Sequence, residues 1–209
     1  MESVRTFLDL QIFGTTYRQC PEKMVGKFAG KRLVVVGGGR CVWDDLARLG
    51  VRGDEHQDGR DIMVVNDITM HMPGRVLHAY SNDHRWLPKW LEARRELITR
   101  KYGPIEYVHS CRTGAKYNWP WPGHGSSSLG AVYTGLAMGY DSIVLCGVPL
   151  DDSGHYFDPP WVQTNFSREV GTRTDGHMMY WHQARERLFR GRVTSMSGRT
   201  RTLLGEPKR

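Results

Sequence analysis

Residues 34–46 read VVVGGGRCVWDDL: three β-branched residues run into three glycines, which run into a segment patterned as a helix. A short apolar strand that ends in glycine and reopens as a helix is the first corner of an α/β fold. Glycine lets the backbone pack closely against a ligand, and the helix start offers N–H groups and a partial positive charge to an anion. The spacing departs from the dinucleotide fingerprint, because Val42 stands where the third glycine of Gly-x-Gly-x-x-Gly belongs, and no Gly-Lys-Ser/Thr ending makes it a P-loop. Alone, the stretch reads either as an anion cradle or as a tight corner that binds nothing.

Working outward, the strand pattern recurs. DIMVVND (61–67), RVLHAYS (75–81), IEYVHS (105–110), DSIVLCGV (141–148) and RVTSM (192–196) are short apolar runs of the kind that suits parallel strands buried on both faces. Helical patterns fill the intervals. WLPKWLEARRELITRKYG (86–103) puts Trp86, Leu87, Trp90, Leu91, Leu97 and Ile98 along one stripe, with Gly103-Pro104 as its stop. SSSLGAVYTGLAMGYD (126–141) is a serine-capped helix closed at Gly139, and HMMYWHQARERLFRG (177–191) is a third. The expected fold is a single-domain α/β, doubly wound, Rossmann-like, mostly parallel sheet of five or six strands, spanning residues 1–209 with 1–30 as an N-terminal extension.

Two stretches fit no regular element: RTGAKYNWPWPGHG (112–125) and the segment 149–176 that begins PLDDSGHYFDPP. Loops of this length next to strand ends are expected to be functional, and ligands of open α/β sheets sit outside the carboxyl ends of the strands. The four cysteines, Cys20, Cys41, Cys111 and Cys146, form no Cys-x-x-Cys pair, so neither a zinc cluster nor a disulfide framework is expected. No run of about 18 apolar residues is present, and the first 20 residues lack a signal-peptide pattern, so a cytoplasmic protein without a membrane span is expected. A net charge of +7 is compatible with a polyanionic partner, whether nucleotide, nucleic acid or anionic glycan.

The stretch 126–148 sharpens the expectation. SSSLGAVYTGLAMGYDSIVLCGV sets Ser126, Ser127 and Ser128 at a helix start followed by small residues, where capping alone needs one serine. Together with VVVGGGRCVWDDL, VVND and HYFD, it resembles the bacterial sialyltransferases that use a CMP-activated sugar, and related glycosyltransferase-like proteins of bacteria and phages. The resemblance covers most of residues 32–196. It implies nucleotide contacts from Gly37, Gly38, Gly39, Asn66, Ser126, Ser127 and Ser128. It also implies a catalytic base at His177, in a Gly-His pair placed just before the last major helix, and a leaving-phosphate contact from Tyr156. Imidazole is suited to taking a hydroxyl proton near neutral pH.

The chain also departs from that family. Pro149 stands where an aspartate follows Gly-Ile, so Asp151, Asp152 and His155 become the candidate acceptor or lid residues. There is no Asp-x-Asp motif, so no metal and no cofactor beyond the nucleotide-sugar donor are expected. The leading expectation is a metal-independent, inverting, glycosyltransferase-like enzyme with a histidine base. A DNA-modification enzyme of phage type on the same scaffold and a nucleotide- or phosphate-binding protein without chemistry are the alternatives. The oligomeric state, a homo-oligomer included, is left open.

Overall fold

The computed structural model describes residues 20–51, 59–97, 103–112, 114–123, 125–158 and 167–208, with 167–174 described by backbone only. The elements run β1 (Arg32–Val36), α1 (Val42–Leu49), β2 (Arg60–Val65), α2 (Ile68–His71), β3 (His78–Tyr80), α3 (Leu87–Glu96), β4 (Tyr107–Ser110), β5 (Tyr117–Asn118), α4 (Ser127–Ala137), β6 (Ser142–Cys146), α5 (Ser167–Ala184), β7 (Val193–Ser195) and α6 (Gly198–Leu204). A π-helical segment, Arg185–Phe189, extends α5. The described strands form one seven-stranded sheet of order β5-β4-β3-β2-β1-β6-β7. Every neighbouring pair is parallel.

The order reverses between β1 and β6, and that reversal positions the site. Successive strands step to one side from β1 through β5 and to the other through β6 and β7, so the connections leaving β1 and β6 diverge and open a crevice at their carboxyl ends. Alternation along the strands builds two cores. Leu33, Val35, Met63 and Val65 face α4 and Trp181, whereas Val34, Val36, Ile62 and Val64 face Leu46, Ile68 and Leu87. The small residues of α4 bring it onto the sheet: a Cβ on Gly130 would lie 2.6 Å from Tyr80 Cζ.

The sheet is larger than the sequence suggested. β5 is only two residues long and sits in the stretch 112–125 that was expected to be irregular, pairing Tyr117 with His109 and Asn118 with Ser110. It carries the adjoining Trp119 into the core at 2% exposure. The helix expected from residue 177 begins ten residues earlier, at Ser167, because SREVGTRTDG is too polar and too rich in glycine and threonine to show an apolar period. Gly176 and His177 therefore lie inside α5 rather than before it, and the last helix is α6. On α3 only part of the expected stripe is inward: Leu87 is buried, Trp90 and Leu91 are half-buried, and Trp86 and Leu97 are exposed, while Arg94 is buried in their stead. Ile98 lies outside the described residues.

A buried polar chain crosses β2, β3 and β4, and its proton positions follow from one donor. The Trp119 indole N–H can only donate, and it reaches His109 Nδ1 at 3.1 Å. His109 then carries its proton on Nε2 and donates to His78 Nδ1 at 3.0 Å, and His78 Nε2 donates to the Tyr140 hydroxyl at 2.8 Å. Tyr140 in turn donates its hydroxyl hydrogen to Asp61 Oδ2 in a hydrogen bond of 2.8 Å. A second proton on either imidazole would set two N–H groups face to face.

Burial holds His109 down to about 3 and lowers His78 well below the usual range. In the unfolded chain both titrate near about 6.5. Their native pKa values lie below the unfolded ones, so the stability they contribute is complete above about pH 6.5 and is lost as pH falls, at roughly 1.4 kcal/mol per pH unit for each histidine. Urea unfolding at pH 7.5 and pH 5.5 should show a markedly lower midpoint in acid. Equal midpoints would mean that these imidazoles are not neutral in the native state.

Candidate functional site

The first strand and the sixth leave the sheet side by side, and their glycines lock the two exits together. Gly37 N–H donates to Cys146 O and Gly39 N–H to Gly147 O, both at 2.8 Å. A Cβ on Gly37 would stand 2.7 Å from Gly147 O, and one on Gly39 would meet Pro149 Cδ at 2.5 Å and Gly147 O at 2.8 Å. Those two glycines are required by the crossing of the chains. Gly38 differs, since a Cβ there would meet only side chains: Asp67 Oδ1 at 3.2 Å, His155 Nδ1 at 3.3 Å and Tyr156 Cδ1 at 3.6 Å.

These contacts separate two variants. Gly39→Ala should lower the unfolding midpoint, because backbone and a proline ring must shift to admit one methyl group. Gly38→Val should remain folded and lose binding, because its side chain enters the cleft. Titration of both with CMP, alongside their melting curves, checks this; Gly38→Val binding CMP as wild type does would reduce the turn to a corner.

The segment after β6 returns over the turn. Gly39 and His155 form an antiparallel bridge, Arg40 N–H donates to Gly154 O at 3.0 Å and Tyr156 N–H to Gly38 O at 3.0 Å. The chain then turns, with Asp158 N–H donating to His155 O at 3.1 Å. His155 lines the cleft. The Tyr156 ring lies outside the lining, against Trp43 and His71 with centroids 6.0 and 5.6 Å away, and burial pushes its phenol pKa up. Tyr156 anchors the segment through these ring contacts, and its Cδ1 stands 3.6 Å from the point a Cβ on Gly38 would occupy.

The cleft these elements enclose is about 720 Å³, and Gly37, Gly38, Gly39, Asn66, Ser126, Ser127, Ser128, Asp151, His155 and His177 all line it. Asp152 is exposed and is not among the lining residues. Ser126 caps α4: its hydroxyl oxygen accepts from Leu129 N–H at 3.3 Å and from the Trp181 indole at 3.4 Å. Ser127 Oγ accepts from Asn82 N–H at 3.2 Å. Ser126 and Ser127 therefore have separate tasks. Trp181 stands one turn after His177 on α5, so its bond to Ser126 seats the His177 face of α5 over the serine turn.

Sequence reasoning missed Asp67, Asn82 and Phe157, all of which line the cleft. Asn82 was findable, since it lies two residues past β3, much as Asn66 directly follows β2. The two asparagines are oriented alike. Asn66 Oδ1 accepts from Ser81 Oγ at 2.8 Å, and Asn82 Oδ1 accepts from Tyr80 Oη at 2.9 Å and Cys111 Sγ at 3.2 Å. With both carbonyls engaged by the framework, the amide nitrogen is what each can offer a ligand. Asn66 adopts a left-handed φ of 61° and Leu150, across the cleft, one of 49°. Such conformations in non-glycine residues persist where surrounding contacts over-determine them.

Phe157 is 60% exposed and stacks on His155 with ring centroids 5.2 Å apart, making an aromatic rim. Cys41, beside the turn, has its thiol pushed up to about 11 by burial, which keeps it protonated and poorly nucleophilic. All four cysteines are free. Among the described residues no three His, Cys, Asp or Glu side chains gather as metal ligands, and no helix is long and apolar enough to cross a membrane.

No protein-family model and no curated protein sequence matches the chain. Solved structures do. The sialyltransferase CstII from Campylobacter jejuni, in complex with cytidine-5′-monophosphate, superposes with a TM-score of 0.56 over 86% of each chain at 12% identity. The chain shares its fold with this sialyltransferase. The CstII complex with CMP-3FNeuAc gives a TM-score of 0.55 at 14% identity, covering 84% of this chain and 85% of that one. The complex with a trisaccharide acceptor and CMP gives 0.55 at 12% identity, covering 85% and 86%.

Proposed function

We propose that the protein is a metal-independent, inverting glycosyltransferase-like enzyme that uses a nucleotide-activated sugar, CMP-linked as in the structures it resembles. The carrying observation is that one cleft, at the reversal of strand order, is lined by the glycine turn, two asparagines with their amide nitrogens to offer, the serine turn of α4 and His177. The likeness to proteins solved with CMP and CMP-3FNeuAc supports the choice of donor.

In this reading the donor phosphate lies against α4, whose first turn contains no acidic residue to cancel its positive end. His177 removes the proton from an acceptor hydroxyl. The acceptor oxygen attacks the anomeric carbon, the bond from that carbon to the phosphate oxygen breaks, and the electron pair leaves with the nucleotide. The amides of Asn66 and Asn82 and the hydroxyls of Ser127 and Ser128 stabilise the charge that gathers on the departing phosphate. The exposed Phe157–His155 stack and Asp151 border the open side, where an acceptor sugar ring approaches.

Thermal unfolding with CMP, UDP, GDP, ADP and their sugars tests the reading. A ligand that binds only the native state at 100 times its dissociation constant adds about 2.7 kcal/mol of stability. CMP and CMP-sugars should raise the melting temperature and the others should not. No response to any nucleotide, together with salt-steep DNA binding, would replace the reading with a DNA-directed one.

A further inference from the structure

Charge is divided across the cleft. The serine wall is rich in donors and α4 carries no acid in its first turn. The glycine wall is the reverse. The first turn of α1 holds Asp44 and Asp45, and the buried Asp45 accepts the Gly147 N–H and the Ser197 hydroxyl at 2.9 and 2.6 Å through Oδ2. The positive end of α1 is already met by the chain's own carboxylates.

Asp67 adds a third carboxyl, from the end of β2. Its Oδ1 stands 3.2 Å from the point a Cβ on Gly38 would occupy, and its Oδ2 is buried with no hydrogen-bond partner among the described residues. Although Asp67 occupies the N-cap of α2, its side chain makes no capping bond. Burial raises its pKa, with His155 and His71 acting against that rise. A phosphate placed against Gly38 would face the Asp67 carboxyl at close range, whereas a hydroxyl there would meet Oδ1 as an acceptor. An acid at the end of the second strand is also where open α/β folds hold the hydroxyls of a ribose.

We propose that Asp67 accepts a hydrogen bond from a hydroxyl of the bound nucleotide-sugar, which sets the ligand's uncharged polyol part against Gly38 and leaves its anionic part to the Ser126–Ser128 turn. The proposal rests on the nucleotide-sugar reading of the cleft. The hydroxyl comes from the ribose or from the transferred sugar, and these two sources share the same chemistry.

Calorimetric titration of wild type, Asp67→Asn and Asp67→Ser with CMP, 2′-deoxy-CMP and CMP-sialic acid tests it. Both variants should melt no lower than wild type, because each removes a carboxylate that burial disfavours and whose Oδ2 has no hydrogen-bond partner among the described residues. Both should bind CMP-sialic acid at least about tenfold more weakly, as expected for losing a charge-assisted hydrogen bond. Equal weakening toward CMP but not toward 2′-deoxy-CMP assigns the hydroxyl to the ribose, and weakening toward CMP-sialic acid alone assigns it to the sugar. Variants that bind every probe as tightly as wild type overturn the proposal, and tighter binding would mean that Asp67 faces the phosphate. Wild type that binds none of the probes overturns the nucleotide-sugar reading itself, and this proposal with it.

Discussion

Replacing Arg94 with alanine is expected to cost about 3–5 kcal/mol of unfolding free energy, enough to bring a domain of ordinary stability close to its threshold. The side chain is 2% exposed and donates to four main-chain carbonyls: Met72 at 2.6 Å, and Thr69, Gly74 and Gly103 at 3.1 Å. It ties α3 to the stretch 69–74 that follows β2. Truncation leaves carbonyls inside the protein without donors, each at a cost of roughly 1–3 kcal/mol. Arg94→Lys should recover only part of the loss, since one compact ammonium cannot span the fork of a guanidinium. Urea unfolding of the two variants reads the difference. A loss below about 1 kcal/mol for Arg94→Ala would show that the segment is held by its other contacts. Because α2 begins directly after Asn66 and Asp67, the destabilised variant should also bind CMP more weakly at temperatures where it is still folded.

Arg94 also shows where the sequence could be read and where it could not. The strands β1, β2 and β6 were legible because each is a continuous apolar run between glycines or charges, which is how a strand buried on both faces must look. The cap of α4 was legible for a local reason, a serine at the helix start whose partner is three residues away. Arg94 was not, because an arginine within a charged helical pattern looks solvated, and its partners lie up to 25 residues away in sequence. The same holds for Asp67. It reads as an ordinary helix cap, and only the fold shows that its side chain makes no cap bond and stands beside Gly38. Tyr156 is a different case: the motif HYFD was visible, but how its side chains pack depends on a bridge between Gly39 and His155 that no local pattern announces. β5, two residues long, owes its existence to the neighbouring strand and carries no periodicity of its own.

His177→Ala should lower sugar transfer by about 100-fold or more while leaving donor affinity and the unfolding midpoint near wild type, the usual scale for removing a positioned general base. The expectation follows from where α5 puts the imidazole. His177 lines the cleft, and one turn further on the buried Trp181 donates its indole N–H to Ser126, so the helix face that bears His177 is fixed relative to the serine turn. His182 is the control. It lies five residues further along the same helix, exposed, in a separate groove with Arg185 and Arg199, so His182→Ala should turn over at the wild-type rate. A general base acts only when deprotonated, so wild-type transfer should rise with pH through the titration of the base, and the His177→Ala profile should lack that rise. Weakened donor binding in His177→Ala, with an unchanged rate once saturated, would instead make the imidazole a ligand contact. Unchanged transfer would pass the role of base to Asp151, His155 or Asp158, which also line the cleft.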